Sequence, residues 1–154
     1  TIAWSLPSLG QSDHAVKLAE RALVLNPHYP DWYNQGLSYV YFFGGHYSKS
    51  IEYRLLVKQP SAIDYAYLAI AYAQLGQIEE AAEAADDVRQ SSPSWIAEAY
   101  LSESGGYQNR KAERFIEGAR RAGLNACAPA RAIVNDPSFI PVKSCNAWRA
   151  KLPG

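Results

Sequence analysis

The 154-residue sequence contains no methionine, only two cysteines and no apolar run that approaches the length of a membrane span. A transmembrane helix needs roughly 20 consecutive apolar residues, so we expect no membrane insertion by this chain. The sequence also lacks an excess of either charge, because its 15 Lys and Arg residues are balanced by 15 Asp and Glu residues. Nucleic-acid-binding domains usually carry a basic excess, and the balance therefore disfavours nucleic acid as a partner.

Because no methionine is present even at Thr1, we expect the chain to be a processed product or a domain of a longer protein. Hydrophobic residues make up 48% of the sequence, which is enough for a folded core. The length suits one domain or one short array of stacked repeats. Nine of the 11 Tyr residues lie between Tyr29 and Tyr72, where we expect any functional surface.

An internal repeat runs through most of the chain. Pro27, Pro60 and Pro93 follow one another at a constant 33-residue spacing, and each is expected to mark the end of a helix that proline cannot continue. Within the units the apolar residues follow the 3.6-residue period of a helix, and no stretch alternates with the period of a strand. We therefore expect each unit to form two antiparallel helices of about 12–14 residues, joined by a tight turn.

The unit at 61–93 shows the pattern most clearly. Its recurrent positions hold an aromatic residue, a Leu, small residues, a turn Gly and a final Pro: Tyr65, Leu68, Ala69, Tyr72, Gly76, Ala81, Val88 and Pro93. This pattern resembles the tetratricopeptide repeat (TPR) family, whose units are helix–turn–helix segments of about 34 residues. In the preceding unit, which has an insertion in its turn, the same positions hold Trp32, Gly36, Tyr39, Ser50, Val57 and Pro60. In the first unit they hold Ala3, Gly10, Ala15, Ala22 and Pro27.

The TPR resemblance implies an all-α solenoid of about 3.5 repeats, which buries its core only between stacked neighbours. The expected units are 1–27, 28–60, 61–93 and 94–124. A narrower similarity is to the C-terminal TPR region of bacterial adenylate/guanylate cyclase-like proteins, and it includes the segment ERFIEGARRAGL at 113–124. That similarity implies a cyclase domain upstream, none of whose catalytic residues lie in this chain.

Residues 125–154 lack helical periodicity and contain four prolines, so we expect an irregular tail. Cys127 and Cys145 allow two interpretations. A disulfide would pin a segment that has little core of its own and would imply an oxidising compartment such as the periplasm, whereas free thiols would suit a cytoplasmic protein. The absence of cysteine from the helical units favours the disulfide. Two cysteines without a nearby histidine do not complete a metal site, so no metal is expected.

Charge is uneven in the C-terminal half, since residues 79–103 carry a net charge of −6 and residues 110–151 a net charge of +6. The basic residues of 110–121 alternate with Glu113 and Glu117 at helical spacing, which is typical of a solvated helix face. His14, His28 and His46 have no acidic partner at a spacing suited to a metal or a catalytic triad. We therefore predict that the chain is not an enzyme and holds no cofactor.

In TPR arrays the first helices of successive units line a concave groove. Matching the second and third units at the 33-residue spacing predicts a groove lined by Tyr33, Asn34, Leu37, Tyr41, Ala66, Tyr67, Ile70 and Gln74. Aromatic side chains of this kind anchor peptide segments. The predicted function is a non-catalytic interaction scaffold, part of a larger bacterial signalling protein, that binds a peptide or a partner domain in this groove. The alternative is a structural or dimerisation element that self-associates.

Overall fold

A computed structural model describes residues 11–104 and 109–153 of the chain. Within these ranges the structure contains helices and no strand, which confirms the all-α prediction for this part of the chain. The helices are α1 (Ser12–Leu25), α2 (Tyr33–Phe43), α3 (Tyr47–Leu55), α4 (Ala62–Gln74), α5 (Ile78–Ser91), α6 (Ala97–Glu103), α7 (Asn109–Arg121), α8 (Ala130–Val134) and α9 (Lys143–Arg149). Ala3 and Gly10 of the first predicted unit lie outside the described residues.

Helices α2 and α3 form one hairpin, and α4 and α5 form a second. Both hairpin turns contain a glycine with a φ of 78°, Gly45 in the first and Gly76 in the second, a backbone conformation that only glycine adopts without a steric cost. In the second turn the N–H of Gln77 donates to the carbonyl oxygen of Tyr72 at 3.0 Å. This Schellman arrangement satisfies the last carbonyls of α4 and reverses the chain, so that α5 packs back along it.

The packing of α5 follows from its small residues. Ala81, Ala85 and Val88 are at most 2% exposed and face α4, whereas the acidic residues Glu79 and Glu80 are exposed. A helix with alanine on its inner face lets its neighbour approach closely, which a longer side chain would prevent. Ala81 and Val88, which are seven residues apart and so lie on one side of α5, therefore mark the inner face of this hairpin.

The fourth unit folds back onto the second hairpin. Helix α7 packs against α4, and its Phe115 is buried beside Phe42 and Tyr67, with ring centroids 5.9 and 5.7 Å away. A Cβ atom added at Gly118 would lie 2.6 Å from Cγ2 of Ile70, so the glycine is required for this close approach. A smaller core joins α1 to α2 through Ala15, Val16, Ala19, Leu37, Val40 and Tyr41.

The tail is bridged internally by a disulfide and is fastened to α6 and α7 by several polar contacts. Cys127 and Cys145 form a disulfide, with their Cα atoms 5.3 Å apart. Glu98 of α6 is 0% exposed, and its carboxylate accepts two hydrogen bonds from the Arg149 guanidinium, at 2.7 and 3.0 Å. The same carboxylate accepts backbone N–H groups of Ala128 at 2.8 Å and Val142 at 3.0 Å. Ala126, Val142 and Cys145 of the tail also join the main apolar core, so the tail is held by both polar and apolar contacts.

No helix in the described ranges combines the length and the apolar character that crossing a bilayer requires.

Candidate functional site

The turns of the two hairpins show which residues of the hairpins are structurally equivalent. Gly45 and Gly76 occupy equivalent turns, and the 31-residue offset between them is shorter than the 33-residue offset between Pro60 and Pro93. The two-residue difference arises after the turn, because Pro60 follows Gly45 by 15 residues whereas Pro93 follows Gly76 by 17. The 33-residue spacing therefore misaligns α2 against α4 by two residues, and the extra residues that the sequence analysis placed in the first turn are not found there.

This shift explains where the predicted groove residues of α2 lie. At the 31-residue offset Leu37 is equivalent to Leu68 and Tyr41 to Tyr72, positions that pack between helices. Leu37 and Tyr41 are each 1% exposed and contact α1 in the smaller core, and Asn34 is 5% exposed. Tyr33 is partly buried, with its ring 4.5 Å from that of its neighbour Trp32.

The predicted groove residues of α4 are covered by α7. Ala66 and Ile70 are 0% exposed, and Tyr67 is 2% exposed. Gln74 is partly buried and donates a hydrogen bond from Nε2 to the carbonyl oxygen of Arg114 at 3.0 Å. The structure therefore corrects the prediction of an open groove formed by all eight residues. Six of the eight are buried: Asn34, Leu37, Tyr41, Ala66, Tyr67 and Ile70.

An open cavity of about 390 Å³ lies beside Tyr67, between the first helices of the two hairpins. We call it the aromatic cleft. Its walls are formed by Trp32, Gln35, Gly36 and Tyr39 at α2, Arg54 of α3, Ile63 and Tyr67 of α4 and Tyr100 of α6. The volume falls within the ~300–1,000 Å³ typical of ligand pockets.

The position of the aromatic cleft follows from the helical period. Trp32, Gly36 and Tyr39 are spaced by four and three residues, so they share one face of α2, and Ile63 and Tyr67 share one face of α4 in the same way. Trp32 is 61% exposed and Ile63 38% exposed, which is unusual for side chains of this size. The two faces meet across the cleft and leave an apolar surface open to solvent.

The floor of the aromatic cleft holds a buried ion pair. Arg54 is 3% exposed, and its guanidinium lies over the Tyr67 ring with Cζ 4.9 Å from the ring centroid. Its Nη1 donates to Oδ1 of Asp64 at 2.5 Å, and its Nε donates to Oγ of Ser38 at 2.8 Å. Its Nη2 has no hydrogen-bond partner among the residues that the structure describes. A buried donor without an acceptor is costly and therefore uncommon.

Asp64 is held in its charged form. Burial of the carboxyl group raises its pKa, but hydrogen bonds from the Ser61 N–H and hydroxyl and from Gln35, together with the Arg54 charge, outweigh burial and lower the pKa below its ordinary value. Ser61 and Asp64 also form a capping box at the start of α4. The same carboxylate therefore starts a helix and neutralises the arginine.

Sequence reasoning missed Trp32, Arg54 and Tyr100 as site residues. When the two hairpins are aligned at the 33-residue offset, Trp32 takes a position that packs between helices. At the 31-residue offset it lies on the face of α2 that lines the aromatic cleft. Arg54 is equivalent to the buried Ala85 of the second hairpin. A charged residue at a position that holds a small residue in the other hairpin indicates a special role. This substitution is recognised only when the two hairpins are aligned at the 31-residue offset.

A second cavity, of about 420 Å³, lies between the start of α1 and the basic start of α7, with Arg110, Lys111 and Arg114 in its walls. Burial lowers the pKa of Lys111, although Asp13 acts in the opposite direction. Further along α7, Arg120 is engaged by the tail, since its Nη2 donates to the Ser144 carbonyl oxygen at 3.4 Å. The basic face of α7 is therefore partly used within the molecule.

Glu98, Cys127 and Cys145 bring a carboxylate oxygen and two sulfur atoms within 4.8 Å of one another. All three atoms are already engaged. The sulfurs form the disulfide, and the carboxylate accepts the four hydrogen bonds of the tail. The cluster acts as a fastening for the tail in this structure.

Comparison of the chain with protein-family models finds no match, and comparison with curated protein sequences finds none either.

Proposed function

We propose that the chain is a non-catalytic, TPR-type interaction module whose aromatic cleft binds a peptide segment of a partner protein. The observation that carries the proposal is the open cavity of about 390 Å³, which exposes Trp32 and Ile63 above a buried arginine. Large aromatic side chains in a concave site supply most of the binding energy of many protein interfaces. The polar groups of the floor supply orientation.

The TPR assignment is supported by the two hairpins. Each consists of two helices closed by a turn with a positive-φ glycine, and α1, α3 and α5 each end shortly before a proline. When the two turn glycines are aligned, the cleft faces of α2 and α4 are the faces that the TPR resemblance assigns to the concave groove. The proposed solenoid then ends in α7, which covers the remainder of the groove on α4.

The chemistry of the aromatic cleft supports recognition rather than catalysis. Its carboxylate, Asp64, is committed to Arg54, Gln35 and Ser61, and its pKa is lowered, which makes it a poor proton acceptor at neutral pH. The phenol oxygens of Tyr67 and Tyr100 lie 3.1 Å apart and hydrogen-bond to each other. These groups are therefore engaged in hydrogen bonds within the protein.

The proposal is tested by selecting peptides from a displayed random library on the immobilised chain. The variant Trp32→Ala removes the exposed wall of the cleft, and Trp148→Ala, which changes a 39% exposed tryptophan on α9, is the matched control. We expect the selected peptides to lose binding to the first variant and to retain it with the second. Peptides that bind both variants equally, or a selection that enriches none, would refute the proposal.

A structural or dimerisation role is the alternative, and one observation favours it. Val24 and Leu25 at the end of α1 are 81% and 74% exposed, so they form an apolar edge that a second copy would cover. Sedimentation of the wild-type chain and of a Val24→Ser variant distinguishes the two. Self-association that the variant weakens supports the alternative, and a monomer at every concentration eliminates it.

The narrower sequence similarity leads us to propose further that the module belongs to a larger bacterial signalling protein with a nucleotide cyclase domain upstream. Determining the sequence that precedes residue 1 in the encoding gene tests this proposal directly. Any other upstream domain would refute the cyclase assignment and leave the role of the aromatic cleft unaffected.

A further inference from the structure

The unpaired donor in the floor of the aromatic cleft points to the chemistry of the ligand. Arg54 directs Nε to Ser38 and Nη1 to Asp64, and these contacts fix the plane of its guanidinium. Nη2 is buried and finds no partner in the described part of the chain, and Arg54 itself forms part of the cleft wall. An acceptor atom supplied by a bound molecule would complete the hydrogen bonding of this group.

The charge of the acceptor follows from Asp64. The Arg54 side chain is 2% exposed and that of Asp64 is 1% exposed, so each neutralises the other inside the protein. A ligand carboxylate on Nη2 would place a second anion beside Asp64 with one cation between them. A buried charge without compensation is strongly disfavoured, whereas a carbonyl oxygen supplies the acceptor without adding charge.

The remaining walls of the aromatic cleft favour an apolar side chain. The exposed Trp32 and Ile63 and the partly buried Tyr39 line the opening, and Gly36 lies between Trp32 and Tyr39 on α2. Since glycine carries no side chain, a ligand backbone can approach α2 at this point. An apolar side chain next to a carbonyl oxygen is what a polypeptide presents along its length.

We propose, given that the cleft is the binding site of the proposed function, that it recognises an internal, uncharged segment of a partner chain and rejects a free C-terminus. A backbone carbonyl oxygen accepts a hydrogen bond from Arg54 Nη2. The adjacent apolar side chain packs between Trp32 and Ile63. A terminal carboxylate fits the same space but brings the uncompensated charge described above, so specificity is for a position within the chain.

Two small probes test this proposal on the intact ¹⁵N-labelled chain: N-acetylphenylalanine amide and N-acetylphenylalanine, which differ in having a neutral amide or a carboxylate. The signals to follow are the Gly36 amide and the Trp32 indole N–H, with the Trp148 indole N–H as the control. We expect the amide to shift the two cleft signals and to bind about tenfold more tightly than the carboxylate, as the uncompensated charge requires.

The outcomes separate this proposal from the function on which it rests. If neither probe shifts Gly36 and Trp32, the aromatic cleft is not a binding site and both proposals fall. If the carboxylate binds as tightly as the amide or more tightly, only the specificity falls. These readings need no variant, so they hold whether or not Arg54 tolerates substitution.

The variant Arg54→Lys tests the role of Nη2 itself. Lysine keeps a cation for Asp64 but lacks the second terminal nitrogen. In a variant whose spectrum stays dispersed, we expect the amide to bind about tenfold more weakly than to the wild type, because its carbonyl oxygen loses the hydrogen bond from Nη2. Amide binding of unchanged strength would show that another group donates to the carbonyl oxygen and would overturn the assignment of Arg54.

Discussion

Removing Arg149 should destabilise the protein by about as much as breaking the disulfide of its tail. Glu98, which is 0% exposed, would lose both hydrogen bonds and the neighbouring positive charge of the guanidinium. Breaking a buried pair by removing one partner typically costs about 3–5 kcal/mol, because the remaining charge is uncompensated. Two backbone N–H groups still donate to Glu98, so we expect Arg149→Ala to lower the free energy of unfolding by about 3 kcal/mol, at the lower end of that range.

Urea denaturation followed by tryptophan fluorescence measures this change, with Arg131→Ala as the control. Arg131 is an exposed arginine of the same tail, and its loss should alter stability by no more than about 0.5 kcal/mol. The double variant Glu98→Gln with Arg149→Met should cost less than the sum of the two single changes, since it leaves no charge unpaired. A loss below about 1 kcal/mol in Arg149→Ala, or strict additivity, would refute the assignment of Glu98 as the centre of the tail.

Three further predictions concern other contacts. Reduction of the disulfide, or Cys127→Ser, should cost about 3 kcal/mol, the loop-closure value for a sequence separation of 18, and a thiol titration of the native wild type should find no free thiol. Asp64→Asn should cost about 3–5 kcal/mol at pH 7. The pKa of Asp64 is lowered in the folded protein. The stability that Asp64→Asn loses relative to the wild type should therefore persist above the ordinary pKa of an aspartate and shrink as the pH falls through the lowered pKa of the folded state. Acid denaturation of both proteins measures this change. Gly118→Ala should cost about 1–3 kcal/mol in thermal unfolding while Glu117→Ala, on the exposed face of the same helix, changes little; equal effects would argue against the close packing of α7 on α4.

The helices of the two hairpins are predictable because each is encoded locally. The apolar period, the turn glycine Gly76 and the serine and aspartate of the capping box at Ser61 all act within a few residues of one another. The all-α class therefore follows from the sequence without knowledge of any long-range contact.

The site is less predictable because it depends on register and on distant packing. A two-residue error between α2 and α4 turns the buried face, with Leu37 and Tyr41, into an apparent groove. The covering of Ile70 by α7 involves residues far apart in the chain, and only the small size of Gly118 hints at it. In the sequence Glu98 is one of several acids between residues 79 and 103, and nothing there distinguishes it from the others, whereas the structure buries it.

The disulfide of the tail and its contacts with Glu98 have a consequence for proteolysis. The disulfide encloses the loop between Cys127 and Cys145, and within that loop Arg131 and Lys143 are exposed. Trypsin that cuts after either residue leaves both pieces joined by the disulfide, and the Glu98 contacts hold the distal piece in place. A nicked molecule would therefore keep its mass on a gel without reductant and separate into fragments only when reductant is added.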